Sequence, residues 1–229
     1  MRTEVLSLGG SLVVQDEINI RFLHEFKQLI KSFKGKRKFV IVVGGGKIAR
    51  TYINALRGFG KTVYVQAYIG LEVTRLNASL VANFFGSMAS QTIPATMRQV
   101  KNLLKKNTVV FTGGLKFKDN QTSDGTAASL AKYFKTRFIN MTNVEGLYTK
   151  DPKKNKNAAF ISYISLKEFS AIVARMTYAP GQHFVLDAEA ARLIYAYNVP
   201  TYIVGGSIPN LRKLLNGQPF IGTTISKHI

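Results

Sequence analysis

Short apolar runs alternate along the chain with longer stretches in which apolar residues recur every three to four positions. The runs at Val5–Leu8, Phe39–Val43, Thr108–Phe111, Arg137–Met141 and Thr201–Val204 read as strands. Between them, residues 17–33, 46–56, 72–85, 94–105, 123–134, 166–174, 188–197 and 209–215 read as helices. The alternation predicts βαβ units and hence an α/β fold, a three-layer αβα sandwich around a largely parallel sheet. No repeat or low-complexity segment interrupts it. The polar, basic stretch 151–157 reads as an exposed loop too short for an interdomain linker, so residues 1–229 are expected to form one domain.

Glycines punctuate the handovers from strand to helix. Gly9-Gly10 follows the first strand, Gly44-Gly45-Gly46 the second and Gly113-Gly114 the third. Ligands of open α/β sheets bind outside the carboxyl ends of the strands, so the three turns are expected to share one rim and to mark the site.

With 46% hydrophobic and 19% charged residues the chain has the means to bury a core, unlike the polar, charge-rich sequences that stay disordered. It contains no cysteine, which excludes disulfides, thiolate metal sites and a cysteine nucleophile and fits a reducing compartment. The polar start Arg2-Thr3-Glu4, soon followed by the glycine pair, lacks the apolar core of a signal peptide. No apolar run approaches the roughly 20 residues of a membrane span, so the expected location is the cytoplasm. A net charge of +20, from 32 basic and 12 acidic residues, draws polyanions of every kind without choosing among nucleotides, RNA and anionic lipids. The sequence carries no nucleic-acid-binding motif, which argues against that class of partner.

The segment Gly44-Gly45-Gly46-Lys47-Ile48-Ala49-Arg50 runs from a strand into a helix whose first-turn amides and dipole favour an anion. Lys47 and Arg50 stand three apart, share a helical face and can grip one phosphate chain. Cations at a helix N-terminus oppose the dipole, and a bound anion gives them a reason to be there. The spacing is neither the Walker A pattern nor the dinucleotide fingerprint. Leu8-Gly9-Gly10-Ser11 exposes backbone N–H groups that a phosphate can approach, although a glycine pair after a strand also serves as a tight turn. Thr112-Gly113-Gly114 opens a loop that closes at Thr122-Ser123-Asp124, where one of these polar residues caps the next helix. Two hydroxyls beside a carboxylate also suit an acceptor phosphate and an ordering group for a cation. Thr142-Asn143 begins a segment that turns at Gly146 and offers Tyr148 and Asp151, an aromatic face and a carboxylate able to hold a base and a ribose.

These elements, in this order, resemble the amino-acid kinase superfamily, and within it the archaeal uridylate kinases. The likeness runs from Val5 to Ile225 and is most specific at 42–50, 142–152 and Val185–Ala191, while 69–78 resembles the family's helix at the subunit contact. It implies an ATP site using Gly9, Gly10, Ser11, Gly45, Arg50, Thr142, Asn143, Gly146, Tyr148 and Asp151. Facing it would lie a UMP site using Gly44, Gly46, Thr112, Gly113, Gly114, Thr122 and Ser123. Lys47 would neutralise charge on the moving phosphoryl group, and Asp124 and Asp187 would orient lysine and magnesium. The implied reaction is direct in-line transfer from ATP, with Mg²⁺, to UMP, for which positioning and electrostatics suffice without a covalent protein nucleophile. The implied assembly is a homohexamer.

Three positions depart from the family pattern. Ser7 stands where many relatives carry a lysine, which leaves Lys47 as its stand-in; Ala67 stands where an aspartate holds the acceptor ribose; and the loop Leu115–Gln121 is long and lacks glycine and proline. Other readings are a kinase of the same superfamily acting on isopentenyl phosphate, carbamate or an amino acid, a non-catalytic oxyanion-binding relative, and a basic nucleic-acid-binding protein. The isopentenyl phosphate branch has a histidine shortly after the glycine turn, and residues 47–50 have none. His183 reads as packed or solvent-facing.

Overall fold

The computed structural model describes residues 1–115, 122–152, 154–174 and 186–227; His183, Val185 and most of the 115–121 loop fall outside them. Strand β1 (Arg2–Leu8) leads through one short turn, α1 (Gly10–Val13), to α2 (Ile20–Lys31) and β2 (Arg37–Val43). The helices α3 (Gly46–Gly58) and α4 (Val63–Phe85) follow, then α5 (Met97–Lys106), β3 (Val109–Thr112), α6 (Ser123–Tyr133) and β4 (Phe138–Met141). A small hairpin of β5 (Leu147–Tyr148) and β6 (Phe160–Ile161) precedes β7 (Tyr163–Ser165) and α7 (Leu166–Ala174). The chain continues with α8 (Ala188–Ala196), β8 (Thr201–Val204), α9 (Ile208–Asn216) and β9 (Thr223–Ser226).

Seven strands form one sheet in the order β3-β2-β1-β4-β8-β9-β7. Neighbours from β3 to β8 pair in parallel, whereas β9 runs against β8 and parallel to β7. Helices cover both faces, so the strands are apolar on both. In β2, Phe39, Ile41 and Val43 face the layer of α2, α4 and α9, and Val40 and Val42 face the layer of α5, α6, α7 and α8. The expected three-layer αβα architecture is what forms. Phe85 of α4 packs edge-on against Phe111 of β3, ring centroids 4.7 Å apart; a buried phenylalanine is worth about 3–5 kcal/mol against alanine.

Four of the five expected strands form within two residues of their expected bounds, and β1 starts three residues early, at Arg2. Residues 223–226, 163–165 and the hairpin strands were not expected, because runs of two to four residues mixing Thr, Ser and Tyr lack a readable period. Helix α4 starts at Val63, well before residue 72, because Thr62 caps it by accepting from the Val65 N–H. Its first two turns leave Val63, Tyr64 and Tyr68 exposed, so no apolar stripe announced them. Asn19 and Thr96 likewise set later starts for α2 and α5, the latter through a capping box with Gln99.

At the start of β1, Glu4 is fully buried. Its carboxylate accepts from Arg37 and from Arg137 Nε at 2.8 Å, with Arg2 3.5 Å away. The same two arginines reach the carbonyls of Leu215 and Leu214 in the last turn of α9. One buried carboxylate thus ties β1, β2, β4 and α9 together below the sheet.

Candidate active site

The first two glycine turns close on each other above the carboxyl ends of β1 and β2. Gly44 N–H donates to the Leu8 carbonyl at 2.9 Å, and Gly9 N–H donates to the Met141 carbonyl at 2.9 Å. The contact is backbone against backbone: a Cβ on Gly10 would lie 2.2 Å from the Gly46 nitrogen and 2.6 Å from the Gly44 oxygen. Gly46 also has φ +63°, a left-handed conformation that glycine adopts without strain. Both turns therefore open on one side of the molecule.

Helix α4 runs behind these turns and fixes them. Its buried Asn77 donates to the carbonyls of Gly44 at 2.9 Å and Gly45 at 3.2 Å. Thr74 Oγ1 accepts from the Gly114 N–H at 2.8 Å, and Arg75 donates to the carbonyls of Gly114 and Leu115. One helix thus holds the second and third glycine turns in register.

On the opposite face of β1, Ser7 is buried and its hydroxyl donates to Asp124 Oδ1 at 2.7 Å. Thr122 caps α6, accepting from the Gly125 N–H at 2.9 Å, and its hydroxyl donates to Asp187. Asp187 in turn caps α8 by accepting from the Ala190 N–H at 2.8 Å. The two carboxylates are close enough to repel. Desolvation, then the charge of Asp187, push the Asp124 carboxyl up to about 7 against the pull of the Ser7 hydrogen bond. Desolvation also raises Asp187. Among the described residues no cation forms an ion pair with either group.

On the first turn of α3, Lys47 is 58% exposed and ion-paired to Asp16, whose carboxyl it holds below the usual range. Arg50, one turn on, is half-buried; desolvation lowers its pKa, and no acidic partner faces it among the described residues. On the other side of the rim, Thr142 and the exposed Asn143 follow β4, and Tyr148 stacks edge-on against Phe160 with centroids 5.3 Å apart. The Asp151 backbone carbonyl closes a turn by accepting from Asn155 N–H at 2.9 Å.

Residues 2–205 match the profile of the amino acid kinase family. The chain belongs to the amino acid kinase family. It is 37% identical to a uridylate kinase of Archaeoglobus fulgidus over 97% of its own length and 99% of that protein. A uridylate kinase of Thermofilum pendens is 35% identical over 96% of each chain. The crystal structure of the Archaeoglobus fulgidus uridylate kinase superposes with a TM-score of 0.84 at 36% identity, covering 99% of this chain and 100% of that one.

The structure brings Gly10, Gly44 and Gly46 into contact and joins Ser7 to Asp124 and Thr122 to Asp187, while other residues named from the family likeness lie in different settings. Asp124 does not orient Lys47: its hydrogen-bond partner is Ser7, while Lys47 points outward from α3 to the loop at Asp16. Thr112 turns its hydroxyl inward to the Pro94 carbonyl at 3.1 Å and is fully buried, so its side chain is structural rather than substrate-facing. Gly146 is buried too, beside the point where Leu147 N–H bonds Thr223 Oγ1 at 2.7 Å, which makes it a packing position of the hairpin. Four contributors went unread in the sequence: Asp16, Thr74, Arg75 and Asn77. Thr74 and Asn77 did carry a signal, being polar residues on the buried face of a mostly apolar helix.

Proposed function

We infer that this chain is a uridylate kinase, moving the terminal phosphoryl group of ATP to UMP to give ADP and UDP. The observation that carries the reading is the backbone contact of Gly10 with Gly44 and Gly46, beside a carboxylate pair that has no ion-pairing cation among the described residues, in a family member whose full-length relatives are uridylate kinases.

ATP occupies the side formed by Gly9, Gly10, Ser11, Gly45 and Arg50, with Thr142, Asn143, Tyr148 and Asp151 toward its nucleoside. UMP occupies the side of Gly44, Gly46, Gly113, Gly114, Thr122 and Ser123. The half-desolvated, unpaired guanidinium of Arg50 meets phosphate, which restores the counter-charge it lacks. Lys47 exchanges Asp16 for the moving phosphoryl group and neutralises charge that builds in the transition state. The backbone turns hold both reactants end to end, so the acceptor oxygen attacks in line. Two desolvated carboxyls with raised pKa values are short of positive charge and so fit a magnesium ion travelling with ATP. That ion supplies charge neutralisation on the phosphates when bound.

We read residues 1–229 as one domain acting in the cytoplasm, as a symmetric oligomer. Exposed apolar side chains at the α3–α4 junction, Phe59 and Val63, are available to such an assembly; Phe59 is 79% exposed. Among the described residues no helix is long and apolar enough to cross a membrane. The deciding experiment is ADP release with Mg²⁺, ATP and a panel of UMP, CMP, isopentenyl phosphate and carbamate. UMP should outpace every other acceptor by at least tenfold; a different preferred acceptor, or no turnover with any, would overturn the reading.

A further inference from the structure

The fold concentrates basic charge at the end of the sheet opposite the glycine rim. There the parallel strands begin and the helices between them end. Lys31, Lys34 and Lys36 link α2 to β2, Lys105 and Lys106 close α5, and Lys132 and Lys135 close α6. All are exposed. Of the acids at this end, Glu4 is buried and already held by Arg37 and Arg137, and Glu168, at the start of α7, accepts from the Ser165 N–H and hydroxyl. Basic residues in a last helical turn offset the helix dipole, which accounts for Lys31, Lys105, Lys106 and Lys132. Arg2, Lys34, Lys36 and Lys135 lie outside any helix, and the dipole gives no reason for them.

Two clefts open here, and Arg2 lines both. One, of ≈ 510 Å³, lies toward α2 and α9 and is lined by Lys36, Arg37 and Arg212. The other, of ≈ 850 Å³, lies toward α6 and α8 and is lined by Lys132, Lys135 and Arg137. Together they form a basic track across the sheet edge, from one helical layer to the other. At the mouth of the larger cleft the half-exposed ring of Tyr197 carries the Lys132 ammonium 3.1 Å from its centroid. A repeated anion fits two joined basic clefts better than a single phosphate does, and an exposed aromatic among cations is the platform on which an unpaired base stacks. A concave track with its apolar side chains in the walls suits a chain more than a flat membrane surface.

We propose that this end of the protein binds single-stranded nucleic acid, laid through the two clefts past Arg2 and stacked on Tyr197. The binding is independent of phosphoryl transfer at the opposite rim. The test is fluorescence anisotropy with a hydroxyl-ended oligouridylate, using the full chain and two charge-matched triple variants. Lys36→Glu, Lys132→Glu and Arg212→Glu together should weaken binding at least tenfold and leave ADP release unchanged. Arg21→Glu, Lys61→Glu and Arg98→Glu, which remove as much charge elsewhere on the surface, should weaken it less than threefold. With about four phosphates engaged, log affinity should fall against log salt with a slope of about −3. Tyr197→Ala should weaken the single strand several-fold and leave inorganic polyphosphate binding unchanged. Equal losses in the two triple variants, no binding at low salt, or equally tight binding to polyglutamate or to phosphatidylserine vesicles would overturn the proposal.

Discussion

Strand β1 meets acid at both of its ends, a buried Glu4 at its start and a half-buried Asp124 at its end, and handles them by opposite means. At its start Glu4 is saturated by Arg37 and Arg137, which also tie down the end of α9. At its end Ser7 offers Asp124 a hydroxyl, and the like charge of Asp187 lies close enough to raise its pKa, with no ion-pairing cation among the described residues. A buried charge that is paired and hydrogen-bonded serves the fold, whereas one left short of a partner costs stability unless a ligand completes it. The difference separates a structural from a functional use of the same chemistry on one strand. It also fits the site proposed at the glycine rim.

The comparison can be broken most forcefully at its structural end. Glu4→Ala leaves two half-buried guanidiniums facing each other and should destabilise the protein by about 3–5 kcal/mol in urea unfolding, while turnover per folded molecule stays at the parental value. A variant that unfolds no more easily would remove the structural reading of Glu4. At the rim the pattern should reverse. Lys47→Ala should lower kcat by about 10²–10³-fold, the cost of one lost transition-state charge contact, with the melting temperature unmoved because the side chain is exposed and packs against little. Steady-state kinetics at saturating ATP and UMP check this, and unchanged kcat would end the assignment.

Asp187→Asn should lower kcat by about 100-fold and change ATP affinity much less, because asparagine still caps α8; equal losses in both would make Asp187 structural. Smaller in effect is the pH dependence of stability. The folded state holds a proton on Asp124 up to about pH 7, whereas the unfolded chain releases it near 3.8. The contribution is therefore fully present below about pH 4 and is lost as pH rises through 7. Unfolding free energy should fall over that window by about 4 kcal/mol, and Asp124→Asn should flatten the curve. Least in energy, Phe59→Glu should shift the oligomer toward smaller species in sedimentation without altering the helix content of each protomer.

Much of this was legible in the residues themselves. Three glycine turns after three apolar runs fixed the rim, because a parallel sheet sends every such turn to the same end, and Gly10 and Gly46 then proved to touch. The closeness of Asp124 and Asp187 was implied only through family likeness, since 62 intervening residues hide a contact between two helix starts that the sheet order brings together. What escaped was chemistry supplied from across the fold. Asn77 and Thr74 sit on α4, yet their hydrogen bonds end on glycines more than thirty positions away. Ser7 was read as a missing lysine; its hydrogen bond to Asp124 needed the register of β1 against α6 to be seen. Of the basic base of the sheet only the run Lys31–Lys38 is legible in sequence; its other cations come from separate helix ends that only the topology gathers.

Carbon-13 NMR titration of the Asp124 carboxyl, assigned by comparison with Asp124→Asn, tests the central claim most directly. The unliganded protein should show a midpoint near 7 that falls by two units or more when Mg²⁺ and ATP are added together. An ordinary carboxylate midpoint near 4 in the unliganded protein, indifferent to nucleotide, would contradict the account.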